Sequence, residues 1–381
     1  MRLSESQKNN EANSDSNLMP DASIQGIREK IDKIDMDLLR LVNERAFHAL
    51  SIAELRNSAN VTNFSPDREL TIIKALCESN MGPLSKSAVA NVFSEIISAC
   101  RSAKRPLRVA FLGPEGTFSH LAALRRFGNS ATYISQFSID DIFDEIEKGA
   151  ADVGIAPVEN STEGSVTATM DRFIDSDINI CGEIFSRIRH VLMSTEPSLE
   201  TVSVVYSHPQ ALNQCRQWLR TNLPSVSLVP ESSTAEAARI ALSIPGAASV
   251  GNEITATRNG LKILANDIQD SVSNTTRFLL LGKNKSAPTA SDKTSLLFSA
   301  AHKPGSLHSA LEHFAKRSVN LTRIESRPRK DRNWEYFFFL DVEGHQESSI
   351  VREAIESLRS DVEFLKILGS YPVGNVESTD S

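Results

Sequence analysis

From Ala22 to Arg56 the chain runs without a proline, and Ile24, Ile27, Ile31, Ile34, Leu38 and Leu41 recur at three- and four-residue steps. That spacing predicts one amphipathic helix about 50 Å long at ~1.5 Å per residue. "SPDRE" (65–69) predicts a helical restart with Ser65 as N-cap and Pro66 in the first turn. A third helix is predicted from Leu84 to Lys104. The two shorter helices cannot cover the long one, which also carries Leu39, Phe47, Leu50 and Leu55 off its main stripe. An intertwined helical dimer would bury these side chains.

The long helix also places cations where a core belongs. At about 100° per residue, Arg45 falls in the middle of the apolar stripe, Arg56 about 20° from it, and Arg28 about 100° away. A guanidinium in an apolar stripe needs a partner. One reading is an internal ion pair with Glu69 or Asp67; the other is a buried anion site. Lys104, beside the stripe of Val89, Phe93, Ile96 and Cys100, adds a fourth cation. The whole chain of 381 residues has a net charge of −7, which argues against a general nucleic-acid binder. In such a chain, clustered cations favour a small polyanionic ligand. The four cysteines form no CxxC and no His cluster, so they read as buried free thiols with no metal site. The polar opening (1–21) reads as a disordered tail without an h-region, and no apolar run reaches membrane-spanning length. The expected compartment is the cytoplasm, with no cofactor, nucleic acid or membrane partner.

Between residues 106 and 283 short apolar strands ("RVAFLG", "ADVGIAPVE", "TVSVVYS", "AASVG", "RFLLLG") alternate with helices such as 209–219 and 234–242. This predicts a two-lobed α/β domain, periplasmic-binding-protein-like, with a largely parallel sheet and a cleft between the lobes. Strand ends rich in polar groups point to one cleft beyond the carboxyl edges. They are "GPEGTFSH" (113–120), "ENSTEG" (159–164) with Glu159, Asn160, Ser161 and Thr162, and "SHPQAL" (207–212) with Ser207 and His208. The stretch "TTRF" (275–278) announces the last strand with hydroxyls and a planar cation, a grip suited to a carboxylate. Residues 284–293 read as a linker. From 294 to 372 the order βαββαβ predicts a ferredoxin-like unit, followed by a tail (373–381).

Three resemblances follow from these motifs. "IREKIDKIDMDLLRLVNER" followed by "PDRE" (22–105) resembles the all-helical chorismate mutase family. The resemblance implies a dimer holding chorismate with Arg28 from the partner protomer, Arg45, Arg56, Ser65, Cys100 and Lys104, and with Glu69 on the ring hydroxyl. Arg56, Ser65, Cys100 and Lys104 depart from the residues usual there. The rearrangement it implies is pericyclic and needs electrostatic positioning, not a nucleophile. The middle motifs, in order, resemble prephenate dehydratase. That implies Thr276 as the catalytic residue and Glu159, Asn160, Ser161, Thr162, Ser207, His208, Arg277 and Phe278 as substrate ligands. His120, His208 and Glu159 are possible proton sources. "HKPGSLHSAL" and "NLTRIESRP" resemble the two regulatory motifs of an ACT domain. They imply phenylalanine binding at a dimer interface by Gly305, Ser306, Leu307, Asn320, Glu325, Ser326 and Arg327. Together these imply a phenylalanine-inhibited bifunctional enzyme, active as a homodimer or larger homo-oligomer. The competing readings are a dehydratase whose helical domain serves only as a dimer clamp, and a regulator built on a ligand-binding module.

Overall fold

The computed structural model describes the backbone of residues 21–58, 64, 66–271, 273–329 and 335–374, and their side chains apart from 21–23 and 56–58. The predicted leading tail up to Pro20, the N-cap Ser65, the Arg56 side chain and the trailing residues from 375 lie outside the described residues. The helical unit comprises α1 (Asp21–Ser58), α2 (Pro66–Ser79) and α3 (Lys86–Ser102). Ser85 caps α3 by accepting from the Ala88 amide at 3.1 Å. The helix stops at Ser102, two residues short of the predicted end. Pro106 disfavours helical backbone just before it, and Lys104 lies exposed in the turn beyond the helix.

The α/β unit begins with β1 (Arg108–Leu112), α4 (Phe118–Phe127), β2 (Thr132–Gln136), α5 (Ile139–Glu147), β3 (Val153–Asn160), β4 (Gly164–Ser165), α6 (Thr167–Asp175) and β5 (Asn179–Arg187). The chain then crosses to a second lobe through β6 (Val191–Ser194), β7 (Val204–Ser207), α7 (Pro209–Gln214), α8 (Arg216–Asn222), β8 (Ser227–Pro230), α9 (Thr234–Ala241), β9 (Ala247–Gly251), α10 (Glu253–Asn259) and β10 (Lys262–Ala265). It returns as β11 (Thr275–Gly282). The first lobe's sheet has the order β2-β1-β3-β11-β5, the second β10-β6-β9-β7-β8. Two lobes were expected. The sheets are mixed, however, because β11 runs antiparallel to both β3 and β5, as β6 does to β9. A strand that returns from the other lobe enters at the end where the outgoing strand left, so antiparallel pairing is the short connection. Phe278, Leu279, Leu280 and Leu281 are buried, as a strand covered on both faces requires. The predicted helix 209–219 is two helices, α7 and α8, meeting at Cys215.

The last unit is β12 (Asp292–Ser299), α11 (Ser306–Ala315), β13 (Leu321–Pro328), β14 (Tyr336–Glu343), α12 (Ser349–Asp361) and β15 (Phe364–Pro372), in the expected βαββαβ order. Its sheet, β13-β14-β12-β15, has helices on one face, packed on Leu296, Phe298, Leu340 and Val342. The other face lies on the first lobe, where Leu297, Phe337, Phe339, Leu368 and Tyr371 share a core with Leu279, Leu281 and Ile180. A Cβ at Gly369 would stand 2.1 Å from the Ile180 carbonyl oxygen, so only glycine lets β15 approach β5 this closely. Cys100, Cys181 and Cys215 are buried free thiols as expected, while Cys77 is half-buried. Among the described residues, no helix is long and apolar enough to cross a membrane and no group of His, Cys, Asp or Glu could hold a metal.

Candidate active sites

A cavity of about 460 Å³ opens between the two lobes, beyond the ends of β3, β7 and β11. Thr276 and Asn160 face each other across the β11–β3 ladder. The Asn160 amide donates to Thr276 Oγ1 at 2.8 Å and to Asn274 Oδ1 at 2.9 Å. Its own Oδ1 accepts from the backbone amides of Thr162 and Glu163. This network fixes which end of the Asn160 amide points at the threonine. Thr276 Oγ1 therefore acts as acceptor toward Asn160 and keeps its O–H free to donate elsewhere. Both residues line the cavity, with Phe278, Thr117, Phe118 and Ser119 from the first lobe and His208 and Gln210 from the second.

Glu163 spans the cleft. Its carboxylate accepts from Gln210 Nε2 at 2.6 Å and Gln214 Nε2 at 3.1 Å, both on α7. Gln214 Oε1 then accepts from His190 Nε2 at 2.8 Å, so His190 carries its proton on Nε2. Burial holds the His190 pKa below the usual histidine range. Glu163, His190, Gln210 and Gln214 were not singled out from sequence. Gln210 lay inside the "SHPQAL" motif and Glu163 inside "ENSTEG"; His190 and Gln214 carry no local signal.

The structure separates the remaining dehydratase candidates. Arg277 points to the opposite face of β11 from Thr276 and Phe278, because side chains alternate along a strand. It is buried there, with Nε 2.7 Å from Glu183, one terminal nitrogen 2.6 Å from Asp341 and the other 3.1 Å from Tyr371 Oη. Burial works against its charge, but Tyr371, Asp341 and Glu183 raise its pKa above the ordinary value. Its reading as a substrate ligand is therefore corrected to a strut between the first lobe and the last unit. Ser207 is likewise structural, buried and donating to the Val250 carbonyl at 2.7 Å. Glu159 turns away from the cavity to meet Arg323 of β13 at 3.2 Å. Ser161 bonds the 273–275 backbone, and Thr162 is exposed; neither lines the cavity. His120 stacks on Phe111 and accepts from the Gly116 amide at 3.0 Å. Burial, then nearby Arg258, lowers its pKa. It opens on a separate hollow with Glu115, Tyr133 and Arg258, which removes it as a proton source here.

On the helical unit, Arg28 is exposed and Arg45 half-buried, and neither has an ion-pair partner among the described residues. Buried Cys100 faces α1, its thiol 3.9 Å from the Val42 carbonyl. Glu69 does not pair with Arg45. Its carboxylate takes Arg101 from α3 at 2.5 Å and Arg126 from α4 at 3.0 Å. Lys104 lies exposed in the turn just past the end of α3.

The regulatory candidates also divide by strand alternation. Glu325 and Arg327 face the first lobe, where Glu325 accepts from Ser165 Oγ at 2.7 Å and Arg327 grips Asp171 with two nitrogens. Ser326 points the other way and is exposed. Gly305 takes a φ of 84° at the start of α11, followed by Ser306 and by half-buried Leu307, and Asn320 donates to Glu343. The seven residues thus do not share one surface.

These three units match known families in the same order. The chorismate mutase type II pattern matches residues 27–105, prephenate dehydratase 109–286 and the ACT domain 294–360. A bifunctional chorismate mutase/prephenate dehydratase of Aquifex aeolicus is 47% identical over 350 residues, 91% of this chain and 97% of that protein. Its namesake in Pseudomonas aeruginosa is 40% identical over 355 residues, 92% of this chain and 97% of its own. Among solved structures, prephenate dehydratase from Arthrobacter aurescens in complex with L-Phe aligns at a TM-score of 0.65 and 35% identity, over 70% of this chain and 90% of that one. A quorum-quenching acylase, GqqA, aligns at 0.65 and 29%, over 70% of this chain and 98% of its own. Fold and cleft define a prephenate dehydratase of the two-lobed class, preceded by a mutase helix bundle and followed by an ACT regulatory domain. The chain belongs to the bifunctional chorismate mutase/prephenate dehydratase family and carries both activities.

Proposed function

We propose that the cavity between the lobes binds prephenate and that Thr276 donates a hydrogen bond to the departing ring hydroxyl. The observation that carries this is the Asn160 amide on Thr276 Oγ1, which leaves the threonine proton for the ligand. As the ring carboxylate leaves as carbon dioxide, its C–C electron pair enters the ring and the C–O pair departs with the hydroxyl. Hydroxide takes one proton to become water, so aromatisation drives the step while the site positions and polarises. A threonine is a weak acid, so a group titrating near neutrality must complete the water. Of the imidazoles in this wall, burial holds His190 below the usual histidine range, which leaves His208 as the candidate.

The mutase site is read as Arg45, Arg56, Ser65, Glu69, Cys100 and Lys104 of one protomer with Arg28 of the partner. Support comes from the apolar face of α1, where Ile24, Ile27, Ile31, Ile34, Leu38 and Leu41 are each at least half exposed in the single chain. A second copy of the helix would cover them. Domain limits of 22–105, 106–283 and 294–372, cytoplasmic location and phenylalanine feedback through the last unit complete the reading. Paired variants test it. Thr276→Ala is expected to consume chorismate normally and accumulate prephenate, with no phenylpyruvate. Arg45→Ala is expected to lose mutase turnover and keep prephenate dehydration. Wild-type dehydration by Thr276→Ala, or loss of both activities together in Arg45→Ala, contradicts the assignment.

A further inference from the structure

We propose that Arg126, a residue of the dehydratase unit, is a positioning residue of the mutase reaction. It would hold the Glu69 carboxylate for the substrate. The inference rests on reading Glu69 as the ligand of the chorismate ring hydroxyl. Glu69 is 8% exposed and clasped on both oxygens, Oε1 by Arg101 and Oε2 by Arg126. Both guanidinium groups lie beside the Phe64 ring, at 5.7 and 5.5 Å from its centroid. A carboxylate has about four acceptor positions, so two arginine bonds fix its orientation and leave room for a hydroxyl donor.

Arg101 Nε and one terminal nitrogen of Arg126 are buried without a hydrogen-bond partner. A buried unpaired donor is unfavourable, and an arriving anion relieves it. Chorismate carries two carboxylates. The seam is anchored beyond the ion pairs too, since Ser98 Oγ and Arg101 both donate to the Phe127 carbonyl, at 2.6 and 2.9 Å. Arg126 lies in the last turn of α4, a helix of ten residues whose first residues, Phe118 and Ser119, line the dehydratase cavity. At ~1.5 Å per residue, about 15 Å of helix joins the two sites.

Arg101 on α3 and Arg126 on α4 are the cations bonded to Glu69, while Tyr133 on β2 feels Arg101 and Glu95, and Cys181 on β5 feels Arg126 and Asp67. Burial raises the Tyr133 pKa and pushes the Cys181 thiol up to about 12, so both stay neutral near pH 7. Removing Arg126 takes a cation from Glu69. The carboxylate then keeps only the Arg101 bond on Oε1 and is free to turn.

The full-length protein provides the test, with chorismate loss and prephenate dehydration assayed separately. Glu69→Gln comes first; wild-type mutase activity in it overturns the reading of Glu69 itself. If that variant is impaired, Arg126→Ala is expected to lower mutase kcat/KM about tenfold, in the range of lost positioning. Dehydration should be unchanged, with Arg126→Lys recovering most of the loss. An impaired Glu69→Gln alongside an Arg126→Ala variant with wild-type kcat/KM overturns the role of Arg126. So does an Arg126→Ala variant whose two activities and thermal stability fall together, since that is a purely structural seam.

Discussion

At the scale of single residues, the dehydratase site turns on which partner of a hydrogen bond supplies the proton. Asn160 Nδ2 can only donate, so Thr276 Oγ1 must accept from it and present its own O–H to the cavity. Asn160→Asp keeps the shape and inverts the logic. The carboxylate oxygen beside Thr276 would draw the threonine proton to itself and away from the leaving hydroxyl. Dehydratase kcat is expected to fall about 10²-fold, the usual scale for losing one oriented donor, with mutase activity retained. Lowering the pH should recover part of it, because the introduced carboxyl group can donate again once protonated. A rate that is unchanged, or that fails to rise on acidification, removes Asn160 from this role. Thr276 and Asn160 were both legible from motifs. The direction of the bond between them was not, because it depends on two backbone amides and on Asn274 from another segment.

At the scale of elements, β11 does two jobs on its two faces. Thr276 and Phe278 look into the cleft, while Arg277 between them locks into Glu183, Asp341 and Tyr371. Lys293 of β12 completes the group at 2.9 Å from Glu183. Arg277→Met would leave Asp341 without its cation and Glu183 with Lys293 alone. Breaking a buried pair from one side costs about 3–5 kcal/mol, so urea unfolding should show a loss of that size. A loss below about 1 kcal/mol would mean solvent already reaches the cluster. The sequence marked "TTRF" as a grip and placed all its polar groups on one ligand. Alternation along a strand forbids that, but the face of each residue depends on a sheet more than 60 residues away at Asp341. The same alternation split Glu325 and Arg327 from Ser326. Element order in the last unit was legible throughout, since its apolar periodicity is local. The antiparallel return of β11 was not, because pairing partners leave no local trace.

At the scale of the whole molecule, a single chain leaves the apolar face of α1 uncovered. Six isoleucines and leucines on its stripe are at least half exposed, and Leu39, Phe47, Ile52 and Leu55 add to it. Fully burying one such side chain contributes about 1.5–3 kcal/mol, and exposed contiguous apolar patches of this kind mark an interface. Arg45, without an ion-pair partner among the described residues, lies on the same helix, so the surface that calls for a second copy also holds a cation proposed to bind the substrate. Dimerisation and mutase activity should therefore fail together. With Ile31→Asp and Leu38→Asp combined, sedimentation at ~10 μM is expected to shift toward smaller species, because buried charges without partners oppose association. Mutase turnover should fall with the shift. Prephenate dehydration should persist, since the cavity residues all come from the two lobes of one chain. A wild-type chain that sediments as a monomer while consuming chorismate at full rate would contradict both the interface and a mutase site shared between protomers.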